Sequence, residues 1–411
     1  MILLYFVILE LSHLLKKFEI TKYLVEQELV KTILFYNFVD PIYDLSTWYE
    51  VFDHCKKYIH EDDIVTLGQI DTNKMRLNVP FQYWAVFVAD HFEHYLLDDL
   101  RPKSFDNLYL CYNRKPTWHR VELYNKFDIV KNIFKHADDT LNFSISRLIL
   151  EGPKDELDLT TNTQPAIFLI SYSIFNLIKK EFNIDLNKAK YFAGHSLGEY
   201  SALSSGGYLS FAKTIKLLKA RGDAMQNAVP KGEGGMVAVL GTSIKVIEKI
   251  LNDNKDNFNV EIANDNCVGQ IVLSGKNKDL DKLFLFLKSK NIRNIKLPVS
   301  APFHCGLMSK ATEVMKNELE KIEFDDSKII LISNVTANEI KNKDELKKLL
   351  IEQIEKRVRW RESIEYMIDK GVNHFIEVGP GKVLSGLVKR INKDVKINTI
   401  NNENDIKDIK I

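Results

Sequence analysis

The sequence predicts an α/β fold: a hydrolase-like parallel sheet with helices on both faces. An inserted ferredoxin-like α+β subdomain interrupts it, and an N-terminal segment that no pattern assigns precedes it. Three observations predict this. A glycine-flanked serine, Gly194-His195-Ser196-Leu197-Gly198, follows a short apolar run and opens a stretch of helix formers. From residue 122 onward, apolar runs alternate with helical ones, the pattern of helices layered on a sheet. Between 234 and 299 the elements run β-α-β-β-α-β, the order of a ferredoxin-like unit.

Taken in order, residues 1–121 hold three of the four tryptophans, Trp48, Trp84 and Trp118. They show helical patterns at 11–36 and 84–98, a strand at 107–112 and a basic turn, Asn113-Arg114-Lys115-Pro116. Met1 to Leu9 are apolar, but Glu10 ends the run after about half a membrane span. It has neither a basic start nor a small-residue cleavage site, so it reads as a buried element and no membrane is expected as a partner. Helices follow at 122–137 and 165–182, then a short buried strand at 188–193, the serine turn, and a helix ending near Arg221. The inserted unit has strands near 235–240, 260–264, 270–275 and 295–299, with helices near 243–252 and 278–289. The main domain then resumes, with its last strand at 371–378, an edge strand at 395–400 and a frayed end. The expected domains are 1–121, unassigned; 122–231 with 301–400, the α/β domain; and 232–300, the subdomain.

Composition excludes several classes. A net charge of +1 leaves no electrostatic footprint for nucleic acid. Cys55, Cys111, Cys267 and Cys305 are far apart without metal-ligand spacing, which points to free thiols in a reducing, cytoplasmic compartment. No metal or cofactor is expected.

The chemistry-bearing residues centre on Ser196. A serine between glycines at −2 and +2 matches the nucleophile elbow, a turn sharp enough that flanking side chains would collide. The helix after it aims its N-terminal amides and positive dipole end at the site. A serine needs a base within reach, and histidine is the usual one at neutral pH. His195 points elsewhere on such a turn. His304, in a proline-punctuated loop leaving a strand, is the better base, the alternative being a loop histidine with a backbone partner. Arg221 is either a solvated partner of its helix dipole or a bidentate carboxylate clamp. Glu199 reads as a first-turn acid that complements its helix, and Cys305 as a bystander, because Ser196 fills the nucleophile position. Asn264, Asn266 and Gln270 read as loop and cleft residues. Gly379-Pro380-Gly381-Lys382 lacks the spacing of a phosphate loop and reads as a strand-to-helix turn.

From about 122 to 400 the chain resembles the malonyl-CoA:acyl-carrier-protein transacylase family. The resemblance runs through Asp158-Leu159-Thr160-Thr161-Asn162-Thr163-Gln164-Pro165-Ala166, the elbow, Arg221 to Pro230 and Gly232 to Met236. It continues through Ala263-Asn264-Asp265-Asn266, Gly269-Gln270-Ile271-Val272, Leu297 to Met308, Val358-Arg359-Trp360 and Glu377 to Leu384. It implies ping-pong acyl transfer in fatty-acid synthesis. Ser196 attacks the thioester of malonyl-CoA with His304 as base, and the malonyl ester passes to the phosphopantetheine thiol of acyl carrier protein. By the same resemblance Arg221 pairs with the malonyl carboxylate, Gln164 lines the pocket and Leu197 supplies an oxyanion-hole N–H. Phe303 fills the space a methylmalonyl group needs, and a backbone carbonyl near Arg359 orients His304. A serine esterase or thioesterase would use the same elbow, with water as the acceptor, and would leave Arg221 without a purpose.

The chain departs from the family at one place. Members begin with a strand running into a Gly-Gln-Gly-Ser-Gln loop, and this sequence has no such loop. The loop carries the second oxyanion-hole donor, and losing one donor costs about 10²–10³ in rate. The expectation is that 108–112 replaces the strand and 113–120 stands in for the loop. Residues 1–121 are then either an extra domain or a foreign segment joined near Val121/Glu122. The second is favoured because the family pattern returns in mid-domain. The foreign-segment reading implies a slowed enzyme or a binding module that does not turn over.

Overall fold

A computed structural model describes residues 118–299 and 301–409, together with the backbone of 70–71 and 76–77. The chain divides into two compact units, Met1–Tyr112 and Asn113–Ile411. In the first, β1 (Ile70–Asp71) pairs antiparallel with β2 (Arg76–Leu77), Ile70 opposite Leu77. The helices read at 11–36 and 84–98, and the strand read at 108–112, lie outside the described residues.

The second unit opens with α1 (Trp118–Lys126) and α2 (Asp128–Leu141). One helix over 122–137 was expected. The chain breaks instead at Phe127, whose φ −116 and ψ 118 are extended, and the backbone is already helical at 118–120, where a stand-in loop was expected. α2 buries Val130, Phe134 and Ala137, a single stripe at helical spacing. After α3 (Ile145–Glu151) and α4 (Lys154–Leu157) comes α5 (Thr160–Glu181). Phe168, Leu169, Ile170, Ile174, Phe175, Leu177 and Ile178 are all buried, so α5 is apolar on every side and runs through the core.

β3 (Tyr191–Phe192) leads through the serine turn into α6 (Leu197–Ser205), followed by α7 (Phe211–Asn227). β3 is half-buried rather than buried. α7 does not end at Arg221. Gly222, just past the expected end, is a packing glycine: a Cβ there would lie 2.7 Å from the Thr160 carbonyl oxygen and 2.8 Å from Thr161 Cα. The missing side chain lets α7 lie against the start of α5 and brings Arg221 to Gln164.

The inserted unit comprises β4 (Gly234–Leu240), α8 (Ile244–Asp253), β5 (Val260–Cys267), β6 (Gln270–Lys276), α9 (Asn277–Ser289) and β7 (Arg293–Lys296). Its sheet is antiparallel in the order β5-β6-β4-β7, the ferredoxin-like arrangement. Val237, Val239, Ile271 and Leu273 pack with Ile247, Leu280, Leu283 and Leu287 of the two helices into a core of their own. Main-domain segments hold other parts of the sheet. The Val358 N–H donates to the Ala263 carbonyl at 2.8 Å, the Asp265 N–H to the Val358 carbonyl at 2.9 Å, and Arg361 pairs with buried Asp265 at 2.8 Å. A Cβ at Gly234 would meet Pro302 at 2.4 Å. The subdomain therefore touches the main domain on the loop that carries His304.

The main domain continues with α10 (Ser309–Glu320), β8 (Ile330–Leu331), α11 (Lys343–Glu352), α12 (Trp360–Asp369), β9 (His374–Val378), α13 (Val383–Ile391), β10 (Lys396–Ile400) and α14 (Glu403–Lys407). β3 pairs parallel with β8, and β9 with β10 across the α13 crossover. Parallel pairs joined through helices are what an α/β sheet requires. The C-terminus is not frayed at 403–407. Asn402 and Asp405 form a capping box at α14, and Ile406 is 1% exposed in the main core. Among the described residues no helix is long and apolar enough to cross a membrane.

Candidate active site

Ser196 occupies the N-cap of α6 with φ 53 and ψ −111, outside the ordinary regions for a side-chain-bearing residue. A Cβ at Gly194 would lie 1.9 Å from the Gly198 carbonyl oxygen, so glycine is obligatory there. Gly198 is different, because a Cβ there meets nothing within 4 Å. The collision expected at both flanks exists at Gly194 alone.

The turn delivers Ser196 Oγ to 2.8 Å from His304 Nε2 and 3.1 Å from Arg221 Nη2. His304 also adopts a positive φ, 56. Its other nitrogen, Nδ1, lies 2.8 Å from the carbonyl oxygen of Gln353, at the C-cap of α11. With that carbonyl accepting from Nδ1–H, the lone pair of Nε2 faces the serine hydroxyl. The orienting acceptor is Gln353 rather than the expected carbonyl near Arg359, because the Arg359 carbonyl takes the Ser363 N–H at 2.9 Å inside α12. Burial pushes the His304 imidazole down to about 3, and the Arg221 charge adds to the effect, so the site holds a neutral histidine able to accept a proton.

Arg221 is 1% exposed. Its Nη1 donates to Gln164 Oε1 at 2.6 Å, and its Nη2 to Gln353 Oε1 at 2.8 Å as well as to Ser196 Oγ. The guanidinium carbon sits 5.6 Å from the Tyr200 ring centroid, and Nε has no partner among the described residues. A solvated role at a helix end is therefore excluded. Burial disfavours its charge, and its hydrogen-bond acceptors named here are all neutral, so the guanidinium is able to pair with an anion.

Leu197 is the first residue of α6, so its N–H has no intrahelical acceptor. Phe303 is partly buried against the main core, next in chain to His304. His195 points away from the serine: its Nε2 lies 2.9 Å from Asn266 Oδ1, and its ring lies against Trp360. Cys305 is buried, takes a bond from Ser274 Oγ and donates to the Pro302 carbonyl; burial raises its thiol and makes it a poor nucleophile. Gly379 to Lys382 form the turn between β9 and α13.

Two residues escaped the sequence reading. Asn334 accepts from the Ser196 N–H at 2.6 Å and donates from Nδ2 to the Gly194 carbonyl at 2.7 Å, so it fixes the elbow on both sides of its bend. Gln353 donates from Nε2 to the Ser196 carbonyl at 3.1 Å, in addition to its contacts with His304 and Arg221. Ser333-Asn334-Val335-Thr336 reads as an ordinary turn, and a backbone carbonyl leaves no mark in a sequence.

Known proteins share this arrangement of elements. The acyl transferase domain family matches residues 122–408. The malonyl CoA-acyl carrier protein transacylase of Bacillus subtilis is 43% identical over 277 residues, which are 67% of this chain and 86% of that protein. The Staphylococcus aureus protein of the same name is 38% identical over 288 residues, 70% of this chain and 92% of its own. The crystal structure of malonyl CoA-acyl carrier protein transacylase from Clostridium perfringens superimposes with a TM-score of 0.68 at 38% identity, covering 72% of this chain and 92% of that one. A malonyl-transacylase solved in complex with its type II polyketide acyl-carrier protein superimposes with a TM-score of 0.68 at 31% identity, over 72% of this chain and 95% of that one.

Proposed function

The chain belongs to the acyl transferase domain family, and from that membership we propose that it moves malonyl groups from coenzyme A to acyl carrier protein through an ester on Ser196. The observation that carries this reading is the position of one hydroxyl, 2.8 Å from a neutral histidine and 3.1 Å from a buried arginine. A nucleophile that close to a guanidinium suits an acyl group bearing a second carboxylate. A plain ester hydrolase has no use for that charge.

The reaction runs in two halves. His304 Nε2 takes the Ser196 proton as Oγ bonds to the malonyl thioester carbon. The oxyanion is stabilised by the Leu197 N–H and the dipole of α6. As the tetrahedral intermediate collapses, the C–S bond breaks and His304 returns the proton to the coenzyme A sulfur. In the second half His304 takes the proton of the phosphopantetheine thiol and the sulfur attacks the malonyl-serine carbonyl. The C–O bond then breaks and Ser196 Oγ recovers the proton. Throughout, Arg221 pairs with the distal carboxylate, and Gln164 lines the pocket beside it. No cofactor enters the scheme, since coenzyme A is carried by the substrate. The reading places the work in fatty-acid synthesis, in the reducing cytoplasm that the free Cys305 thiol suits.

The test is to incubate the full chain with malonyl-CoA and examine Ser196 by mass spectrometry, then add acyl carrier protein bearing phosphopantetheine. A malonyl-serine stable in water and discharged by carrier protein is the expected result. Rapid hydrolysis without transfer would make the chain an esterase. A folded protein with no adduct would make it a binding module.

A further inference from the structure

Glu199, three residues beyond the nucleophile, is only 1% exposed. A carboxylate so buried is costly unless its bonds compensate. Its Oε2 accepts from Gln353 Nε2 at 2.6 Å and from the Asn334 N–H at 3.2 Å, while Oε1 has no partner among the described residues. Those two partners hold the rest of the site. Gln353 presents its carbonyl to His304, its Oε1 to Arg221 and its Nε2 to the Ser196 carbonyl. Asn334 pins the elbow.

The amide of Gln353 has two orientations, and only one works. An ionised carboxylate is acceptor-only and a guanidinium donor-only. With Nε2 toward Glu199 and Oε1 toward Arg221 both are satisfied. Flipped, the amide would set oxygen against carboxylate and NH₂ against guanidinium. We propose that Glu199 is the positioning residue of this site: by fixing the Gln353 amide and the Asn334 backbone it aligns the base, the arginine and the serine turn together. Its kinetic readout rests on the malonyl-transfer reading above.

The charged and titratable groups around Glu199 are Arg221 from α7, Tyr200 on its own helix and His304 beyond Gln353; Asn334 and Gln353 are neutral. Burial raises Glu199 to about 7 against the pull of its two hydrogen bonds and Arg221. As the pH falls through that value the carboxylate takes a proton, and its hold on Gln353 weakens. His304, pushed down to about 3, does not titrate in that window. For stability the sign is opposite. A carboxyl with a raised folded-state pKa favours the fold below its unfolded value, and that contribution is lost as the pH rises through about 7.

The experiment compares the full-length wild type with Glu199→Gln and Glu199→Ala, measuring kcat/KM for malonyl-CoA against pH, Tm, and the rate at which a fluorophosphonate labels Ser196. For Glu199→Gln, which permits both Gln353 orientations, a loss of about 10- to 100-fold at pH 8 is expected. The wild type should show an acid limb near pH 7 that the variant lacks, and the variant's Tm at pH 8 should match or exceed the wild type's. Activity within twofold of wild type with the acid limb retained overturns the inference. So does a Tm that falls in step with activity, since that marks a merely structural residue. If Glu199→Ala does not fold, Glu199→Gln decides alone. If the wild type forms no malonyl-serine, the transfer reading fails. The inference is then judged on fluorophosphonate labelling, which needs only the serine and histidine: slower labelling of Glu199→Gln supports it, and unchanged labelling overturns it.

Discussion

The elbow at 193–199 and the pair Asn334 and Gln353 meet at the same serine, but they are built in opposite ways. The elbow is contiguous and acts through its own backbone: a glycine no other residue can replace and a serine held at φ 53. Asn334 and Gln353 come from 138 and 157 residues further along the chain and act through two side-chain amides and one carbonyl. The difference teaches a division of labour. Strain of this kind costs about 1–3 kcal/mol and persists only where surrounding structure over-determines it. Here the restraint is visible, since the Ser196 N–H is held by Asn334 and its carbonyl by Gln353. The local segment supplies the reacting group, and the distant pair keeps it at its angle.

Substitutions on either side can break that division. The largest effect is expected at Arg221, the group proposed to pair with the substrate's own carboxylate. Arg221→Ala should lower kcat/KM for malonyl-CoA by roughly 30- to 5,000-fold, the equivalent of about 2–5 kcal/mol for a truncated buried charge pair. Steady-state kinetics would show it. A smaller loss belongs to Asn334, whose side chain touches only backbone. Asn334→Ala leaves the Ser196 N–H and the Gly194 carbonyl unpaired, and should cost about 1–3 kcal/mol of stability in denaturant unfolding. The misaligned serine should lower kcat about tenfold, with KM for malonyl-CoA little changed. If Asn334→Ala costs more activity than Arg221→Ala, the distant pair is doing chemistry and the division is wrong.

The same contrast explains what was legible in the sequence. The subdomain strands could be placed to within a few residues because β4 and β6 are buried along nearly their whole length, and such strands read as short apolar runs, Met236–Leu240 and Ile271–Leu273, bounded by glycines. The pairing of Ser196 with His304 was legible because a candidate nucleophile and base are side-chain identities in recognisable settings. Arg221 was found but placed at the wrong point of its helix. Gly222 carries the same letter whether it ends a helix or lets one pack against Thr160, and only the packing decides. The histidine's acceptor was misplaced for a related reason: a carbonyl belongs to every residue, so its direction is tertiary information. Asn334 was missed because its neighbours describe a turn equally well. Glu199 was seen and undervalued, since a first-turn acid looks the same whether it faces water or, as here, is buried against Gln353.

Phe303 tests the comparison from the substrate side, with the smallest expected effect. It precedes His304 in chain and packs partly buried against the main core, so it belongs to neither the strained turn nor the amide pair. Its proposed role is exclusion, denying space to a branch on the carbon next to the thioester. One methyl group in an apolar pocket is worth only about 1–3 kcal/mol. Phe303→Ala should therefore raise the ratio of methylmalonyl-CoA to malonyl-CoA turnover about tenfold, read by competition between the two thioesters. Because the ring holds no reacting atom, kcat for malonyl-CoA should change less than it does in Asn334→Ala. A fall as large as that variant's would mean that Phe303 supports the backbone of His304, which sits at φ 56. The site would then have a second strained residue kept at its angle by packing, as Ser196 is kept by hydrogen bonds.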